Sequence, residues 1–412
     1  MPGQGLAPVL RRLNAAVRPG GLLNWRYLWP PAMRDARVAA HRQLWLAARG
    51  RMPTPLWLLL ELLGWLRWTA WYGRRGVSRA VAFHGADVAA RDGIPAARQR
   101  RIALRLALGW GIPAYEAYRF GLVGAPETAL DFVYDCESAA FHRLQSPDGA
   151  NSARLLMDKV AAADRLARLG IRQVDTLAVV PRRSDAPLAP LLPSSGAVFC
   201  KTRSGKEGRG AFAAWRDGRC IRGACHDGTP LDDDPAVEAA WRALLMLDDA
   251  LIQPALIDHP EIAPVSASGE LTTIRCITRL EAGSPRPWNA VLEVAIGCAP
   301  PGRRMRYAIV PLDVGSGALL DGPEGIASMA AASIREARAR APGLDRIPHW
   351  PAVIAGSVLA HGAVPELWAV GWDWAITPDG PVLLEGNSGF GLGMPQLFGD
   401  APLLRDRNVA RP

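Results

Sequence analysis

The sequence predicts an α+β protein of two or three domains, with a mainly helical N-terminal region ahead of a region of short strands and helices. Three observations carry this. The chain has 412 residues, 49% apolar and 21% charged, enough to bury more than one core. Residues 1–145 are rich in Trp and Arg and patterned for helices, whereas strand-length apolar runs punctuated by turn residues follow from about residue 176. Near the end, "GWDWAITPDGPVLLEGN" (371–387) reads as two apolar strands joined by a turn.

Charge divides the chain unevenly. Residues 1–110 hold 18 arginines against four acids, a net of +14, so the remainder carries −5 of the overall +9. The densest apolar stretch, "PLWLLLELLGWLRWTAWYGRR" (55–75), is interrupted by Glu61 and Arg67, too early for a membrane span. On a helix, Trp57, Glu61, Trp65, Trp68 and Tyr72 fall roughly along one stripe. Two readings stand: a membrane-surface helix beside Arg74, Arg75 and Arg79, or, preferred, a buried helix of an N-terminal domain. Nucleic acid is disfavoured as a partner, because no zinc-finger or RNA-binding signature accompanies the basic charge. The six cysteines show no framework spacing and no cleavable leader is legible, which points to a reducing cytosol. Cys220, Cys225 and His226 lack zinc spacing and an evident fourth ligand.

The elements follow in order. "NSARLLMDKVAAADRLARLGI" (151–171) predicts one helix, capped by Asn151 or Ser152 and ended by Gly170. After a proline-rich connection (179–197), strands are expected at 198–201, 211–215 and 219–222, and a helix from Asp234-Pro235 to about Leu247. Further strands are expected at 251–253, 271–280, 291–296 and 308–312, and a helix at about 324–340, before the terminal hairpin.

Three pieces bear chemistry. Lysine is scarce: Lys159, Lys201 and Lys206 are the only ones among 48 basic residues. Each stands either by chance or where a compact ammonium is needed. "FCKTRSGKEGRGAFAAW" (199–215) is a strand, a glycine-rich turn and a strand. Gly205, Gly208 and Gly210 free the backbone there, and Lys201, Arg203, Lys206 and Arg209 supply charge. It reads either as a cover for a polyphosphate or as a solvated basic turn. In "LTTIRCITRL" (271–280), Arg275 sits mid-strand and should meet an anion, either a carboxylate of the fold or a phosphate, with phosphate preferred from the neighbouring motifs.

The terminal hairpin is the third piece. In Thr377-Pro378-Asp379-Gly380, proline at i+1 and glycine at i+3 suit a type I turn closed by a glycine bulge. In that register Thr377 faces Pro381, Ala375 faces Leu383 and Asp373 faces Glu385, about 5 Å apart at Cβ. Asn387 shares the face of Glu385. Carboxylates so placed repel unless positive charge lies between them, and Asp, Glu and Asn oxygens suit Mg²⁺. Ordinary surface acids on a solvated hairpin are the alternative.

Taken in order, "DKV", "CKTRSGKEGRG", "LIQPAL", "TTIRCIT" and "WDWAITPDGPVLLEGN" resemble the ATP-grasp superfamily. More closely, they resemble its sugar-transfer-associated branch, related to alpha-L-glutamate ligases; "IPHW" (347–350) and "DHPEIAP" (258–264) also look like that branch. The resemblance covers about 151–398 and implies an ATP-grasp fold. On it, residues 146–412 form the ATP-grasp domain, with a small lid at about 176–254 and a larger antiparallel-sheet lobe at 255–412. It implies that Lys159 and Lys201 bind nucleotide, that Arg203, Ser204, Gly205, Lys206, Gly208 and Gly210 belong to the phosphate loop, and that Gln253, Ala255 and Leu256 form the hinge against adenine. Arg275 holds the transferred phosphate, and Asp373, Glu385 and Asn387 hold Mg²⁺. Gln253 stands where many relatives have an acid, and 298–317 lacks the "DN…GG" segment of the branch.

The implied activity is ATP- and Mg²⁺-dependent carboxylate–amine ligation through an acyl phosphate, with Lys201 and Arg275 as the catalytic cations and a context in cell-surface polysaccharide or sugar modification. The rivals are a kinase-like transfer and a non-catalytic, membrane-associated nucleotide-binding protein. The expected location is cytoplasmic, with peripheral contact at an anionic membrane face.

Overall fold

A computed structural model describes residues 24–50, 52–205, 208, 210–266, 270–297, 306–321, 334–336, 338–340, 342–399 and 402–405. Lys206, Arg209 and most of the helix expected at 324–340 lie outside these; residues 334–336 and 338–340 are helical. The chain divides into two units. The first comprises the residues up to Gln145 together with those from Gly391 onward, and the second comprises most of 146–390. The unit boundary at the C-terminal end thus differs from the span 146–412 read from sequence.

The first unit is helical: α1 (Ala36–Ala48), α2 (Thr54–Arg67), α3 (Gly73–Asp92), α4 (Ala96–Trp110), α5 (Ala114–Arg119) and α6 (Asp135–Gln145). A single π-turn, Trp68–Tyr72, joins α2 to α3. Asp35 caps α1 by accepting from the Arg37 amide. Gln99, fully buried, donates to the Gly85 and Ile94 carbonyls and accepts from Tyr118, so its amide is satisfied without water. The helix Gly393–Phe398 joins this unit through Gln396, whose amide donates to the Val133 carbonyl and accepts from the Val133 N–H.

The second unit opens on two helices where the sequence predicts one. α7 (Ala150–Met157) stops at Asp158, whose backbone is extended, and α8 (Lys159–Ala167) restarts there. The Asp158 carboxylate caps α8 by accepting from the Val160 and Ala161 amides, which a continuous helix would leave bonded to carbonyls. Lys159 therefore sits at the first position of a helix.

Next comes a six-stranded antiparallel sheet, in order β1-β6-β2-β3-β4-β5, built from β1 (Ala178–Val180), β2 (Ala197–Thr202), β3 (Phe212–Asp217), β4 (Cys220–Cys225), β5 (Pro230–Leu231) and β6 (Ala250–Pro254). α9 (Asp234–Leu247) packs Trp241, Leu244 and Val237 against its Val198, Phe212 and Ile252. The cap of α9 is Asp233, one residue earlier than the sequence suggests, while Asp234 accepts from the Ile221 amide.

A five-stranded antiparallel sheet follows, in order β11-β10-β7-β8-β9, from β7 (Thr273–Glu281), β8 (Ser284–Gly297), β9 (Arg306–Pro311), β10 (Ala369–Thr377) and β11 (Gly380–Asn387). α10 (Trp350–His361) covers one face, and alternation puts Trp372, Trp374 and Ile376 of β10 into that core. The buried indoles are satisfied: Trp372 donates to Thr278 and Trp374 to Ser357. Asp373, between them, is driven to the opposite face.

The hairpin register corrects one detail of the sequence reading. Thr377 pairs with Gly380 and Ala375 with Val382, not with Pro381 and Leu383. The turn is one residue tighter than expected, and a bulge at Leu384 restores the count, so Asp373 does face Glu385. Gly386 lies where any Cβ would come within 2.5 Å of the Trp372 ring. Only glycine lets β11 approach this closely between Glu385 and Asn387.

Candidate active site

On the face of the five-stranded sheet opposite Trp372 and Trp374, three neighbouring strands each contribute an ionisable group. β10 pairs Asp373 opposite Arg275 of β7, and Glu293 of β8 stands diagonal to Arg275. The guanidinium forks onto Asp373, with Nε donating to Oδ1 at 2.7 Å and Nη2 to Oδ2 at 2.9 Å. Its Nη1 reaches Glu293 Oε1 at 3.0 Å. Asn387 Nδ2 donates to Asp373 Oδ2 at 2.9 Å and to Glu385 Oε1 at 3.1 Å. Asp373, Glu385 and Asn387 are thus one hydrogen-bonded cluster.

Burial sets its electrostatics. Desolvation pushes the Asp373 and Glu293 carboxyls above their usual range, and the Arg275 charge pulls against that shift. Desolvation of Arg275 works to lower its own value, but the Asp373 and Glu293 carboxylates outweigh it, and the guanidinium is held charged. The mid-strand arginine meets carboxylates of the fold, one of the two kinds of anion the sequence reading allowed. The reason is register: antiparallel pairing puts Asp373 directly across from it.

The lysines arrive from the other side. Lys159 Nζ donates to the Gly205 carbonyl at 2.6 Å and lies 3.7 Å from Glu385 Oε2. Lys201, on β2, lines the same small cleft, together with Lys159, Gln253, Glu385 and apolar walls that include Leu156, Leu166 and Leu383. Five elements thus converge there: the consecutive helices α7 and α8, and the strands β2, β6 and β11.

Other residues singled out from sequence stand elsewhere. Arg203 forks onto Asp158 at 2.7 and 2.9 Å and reaches Asp249 at 3.5 Å, so its charge braces the start of α8 instead of entering the cleft. Ser204 is exposed, and its amide donates to Asp248. The Ala255 amide closes the sheet edge onto the Ala197 carbonyl, and Leu256 is partly buried beside it. Gly208 and Gly210 adopt φ of 59° and 76°, which favours glycine. Sequence reasoning missed Glu293 and Asp158. A glutamate inside the apolar run "AVLEVAI" and an acid directly before the scarce Lys159 were the available signals.

Residues 344–411, which include the whole terminal hairpin, match the family model described as sugar-transfer associated ATP-grasp. This segment is similar to that family. It makes up about one sixth of the chain, and its hairpin lies in the second of the two antiparallel sheets. No curated protein matches the sequence. Among solved structures, the chain is similar to the VanG D-Ala:D-Ser ligase from Enterococcus faecalis, at 12% identity over 60% of this chain and 58% of that one, with a TM-score of 0.37. The D-alanine–D-alanine ligase from Bacillus anthracis complexed with ATP gives 13%, 58%, 56% and 0.32. The D-cycloserine synthetase DcsG gives 17%, 65%, 75% and 0.34. The chain spans less than two thirds of the first two, and all three TM-scores fall below 0.5.

Whether the terminal hairpin suits Mg²⁺ can be tested on its donors. They are two carboxylates, whose oxygens are hard ligands, and an amide that now turns its Nδ2 to them and would offer its oxygen after a flip. Asp373 accepts three hydrogen bonds, and a carboxylate offers about four lone-pair sites, so one position stays open beside Arg275. The donor set fits.

Lys201 gives a pH prediction. Burial pushes its ammonium from 10.5 down to about 8, with Glu385 opposing the shift and Lys159 adding to it. Between those values the unfolded chain holds a proton that the folded protein lacks, so this group makes stability rise with pH across that window. A polyphosphate beside Lys201 favours the ammonium. Nucleotide binding at about pH 8.5 is therefore expected to take up a proton and to weaken as pH rises further. Calorimetry in two buffers of different ionisation enthalpy measures the uptake, and Lys201→Met should abolish it. Equal uptake by that variant would remove Lys201 from the nucleotide site.

Proposed function

We propose that the chain is an ATP- and Mg²⁺-dependent ligase that joins a carboxylate to an amine, or to a similar nucleophile, through an acyl phosphate. The convergence of Lys159, Lys201 and Glu385 on one cleft, beside the Asp373–Asn387–Glu385 cluster, carries this reading. A purely structural cluster would not need two lysines brought from a separate sheet and helix to the same opening.

In this reading the nucleotide lies in the cleft, with its base toward Gln253 and the apolar wall and its phosphates toward the lysines. Asp373, Glu385 and Asn387 hold Mg²⁺, which when bound offsets the charge that builds up on the transferred phosphoryl group. Lys201 and Lys159 add positive charge at the phosphates. The substrate carboxylate attacks the γ-phosphorus, ADP leaves, and an acyl phosphate forms. The amine then attacks the acyl carbon and inorganic phosphate departs. No protein nucleophile is required, because positioning and charge carry such transfers. Arg275 keeps Asp373 ionised and oriented and so acts through it. The family description supports a substrate connected with sugar transfer, and an amino acid joined to an amino sugar is the product class this favours.

Hydroxylamine tests the reaction class, since it replaces the amine. With ATP, Mg²⁺ and a panel of amino and uronic acids, one acid should yield a hydroxamate with ADP in equal amount. ADP with a phosphorylated acceptor and no hydroxamate would mean a kinase-like transfer. Tight ATP binding without ADP on any substrate would mean a binding protein.

A further inference from the structure

α2 buries only a narrow stripe. Trp57 and Gly64 are buried, and the half-buried Glu61 accepts from the Trp45 indole on that side. The opposite half of the helix is apolar and faces water. At about 100° per residue, Leu56, Leu58, Leu59, Leu62, Leu63 and Leu66 fall within an arc of about 180°. All six are exposed, Leu59 to 52%. From Thr54 to Leu66 the only ionisable residue is Glu61, so this arc carries no charge. The stripe read from sequence is corrected: Trp65 and Tyr72 are exposed rather than aligned with Trp57, because the buried side runs through Gly64 and Trp68. A helix apolar all round is ordinarily covered all round, and a contiguous exposed patch of this kind marks an interaction site.

The charge beside the arc says what covers it. Beyond the leucines, the π-turn exposes Trp71 to 58% and Tyr72 beside it. Arg67 donates to the Tyr72 hydroxyl at 2.7 Å, and Arg75 lies over the Trp71 ring. Arg74, Arg75 and Arg79 follow on α3, all exposed, and no acid occurs between Glu61 and Asp87. Leucines, then ring-bearing interfacial residues, then arginines is the order of acyl chains, interface and anionic headgroups across one leaflet. An apolar protein groove would not call for the arginines. No helix among the described residues is long and apolar enough to cross a membrane.

We propose that the outward face of α2, the π-turn and the start of α3 form a docking site for an anionic lipid surface, held in the interface without spanning it. This stands independently of the ligase reading.

Sedimentation of the full chain with vesicles tests it. Vesicles of equal parts phosphatidylglycerol and phosphatidylcholine should bind the protein about tenfold more strongly than phosphatidylcholine alone, and less as salt rises. Leu59→Asp with Leu63→Asp should lower binding to anionic vesicles by at least about tenfold. Arg74→Gln with Arg75→Gln should lower it and flatten the salt dependence. Thermal midpoints and ATP binding check that each variant folds, and Leu59→Ser with Leu63→Ser serves if the aspartates do not. Equal binding to neutral and anionic vesicles, or full binding by the leucine variants, would overturn the proposal. So would a lipid-free dimer that the leucine variants dissolve while the wild-type chain ignores vesicles, which would make a second copy the occupant.

Discussion

Glu385→Gln is expected to lose turnover by about a thousandfold while the chain stays folded. A metal at a developing charge contributes several kcal/mol, and about 4 kcal/mol corresponds to that factor. The substitution keeps the side chain's shape and its hydrogen bond from Asn387 but removes the charge facing Lys159. Its carboxylate is about a third exposed, so the fold has little to lose. Acid-dependent ADP release gives the turnover, and a melting curve gives the fold. Mg²⁺ titration should show weaker dependence on the metal in the variant. Turnover within a few fold of wild type would remove Glu385 from the site.

Arg275→Met should act on the fold first. Asp373 and Glu293 are mostly buried, and Arg275 is the cation that both bond. Removing one partner of a buried ion pair strands the other charge, at a cost of about 3–5 kcal/mol, with the lower end expected here because the arginine is itself about a quarter exposed. The variant should unfold at markedly lower denaturant, and Glu293→Gln added to it should restore part of the loss. Saturating MgATP should narrow the gap to wild type, since a cation held by Asp373 supplies the missing charge. An unchanged unfolding midpoint would mean that water reaches these carboxylates and that the arginine does not hold them.

The legible parts of the sequence were local. "PDG" between alternating apolar runs announced a hairpin, and counting from the turn put Asp373 opposite Glu385, although the true path uses a tighter turn and a bulge at Leu384 that cancel. The strand "LTTIRCITRL" and the helix opened by Asp-Pro were legible for the same reason: period and capping are properties of neighbouring residues. The break at Asp158 was not legible, because "NSARLLMDKVAAADRLARLGI" is helical by every local measure. At the break Asp158 caps α8 and pairs with Arg203, 45 residues away in sequence. The partners of Arg203 were hidden for the same reason, as a basic loop residue looks alike whether it faces phosphate or a distant carboxylate. The helix α10 and the three-residue β1 were likewise hidden, since their apolar runs gain definition only from the sheets they cover or extend.

By itself, then, the sequence determined the α+β class, the helical basic N-terminal region, the strands that carry Lys201 and Arg275, and the terminal hairpin, while the facing of Asp373 and Glu385 rests on a bulge that the sequence did not show. Apart from that facing, each of these follows from period-two or period-3.6 patterning and turn chemistry over a few residues. Tertiary structure alone decided which anion Arg275 meets, that Glu293 joins it, that Lys159 starts a helix with its ammonium on the Gly205 carbonyl, and that half of α2 stays uncovered. These depend on strand order and on pairs up to 98 residues apart, such as Arg275 with Asp373. No local window holds both partners, and a buried charge takes whichever opposite charge the assembled sheet puts within hydrogen-bond reach.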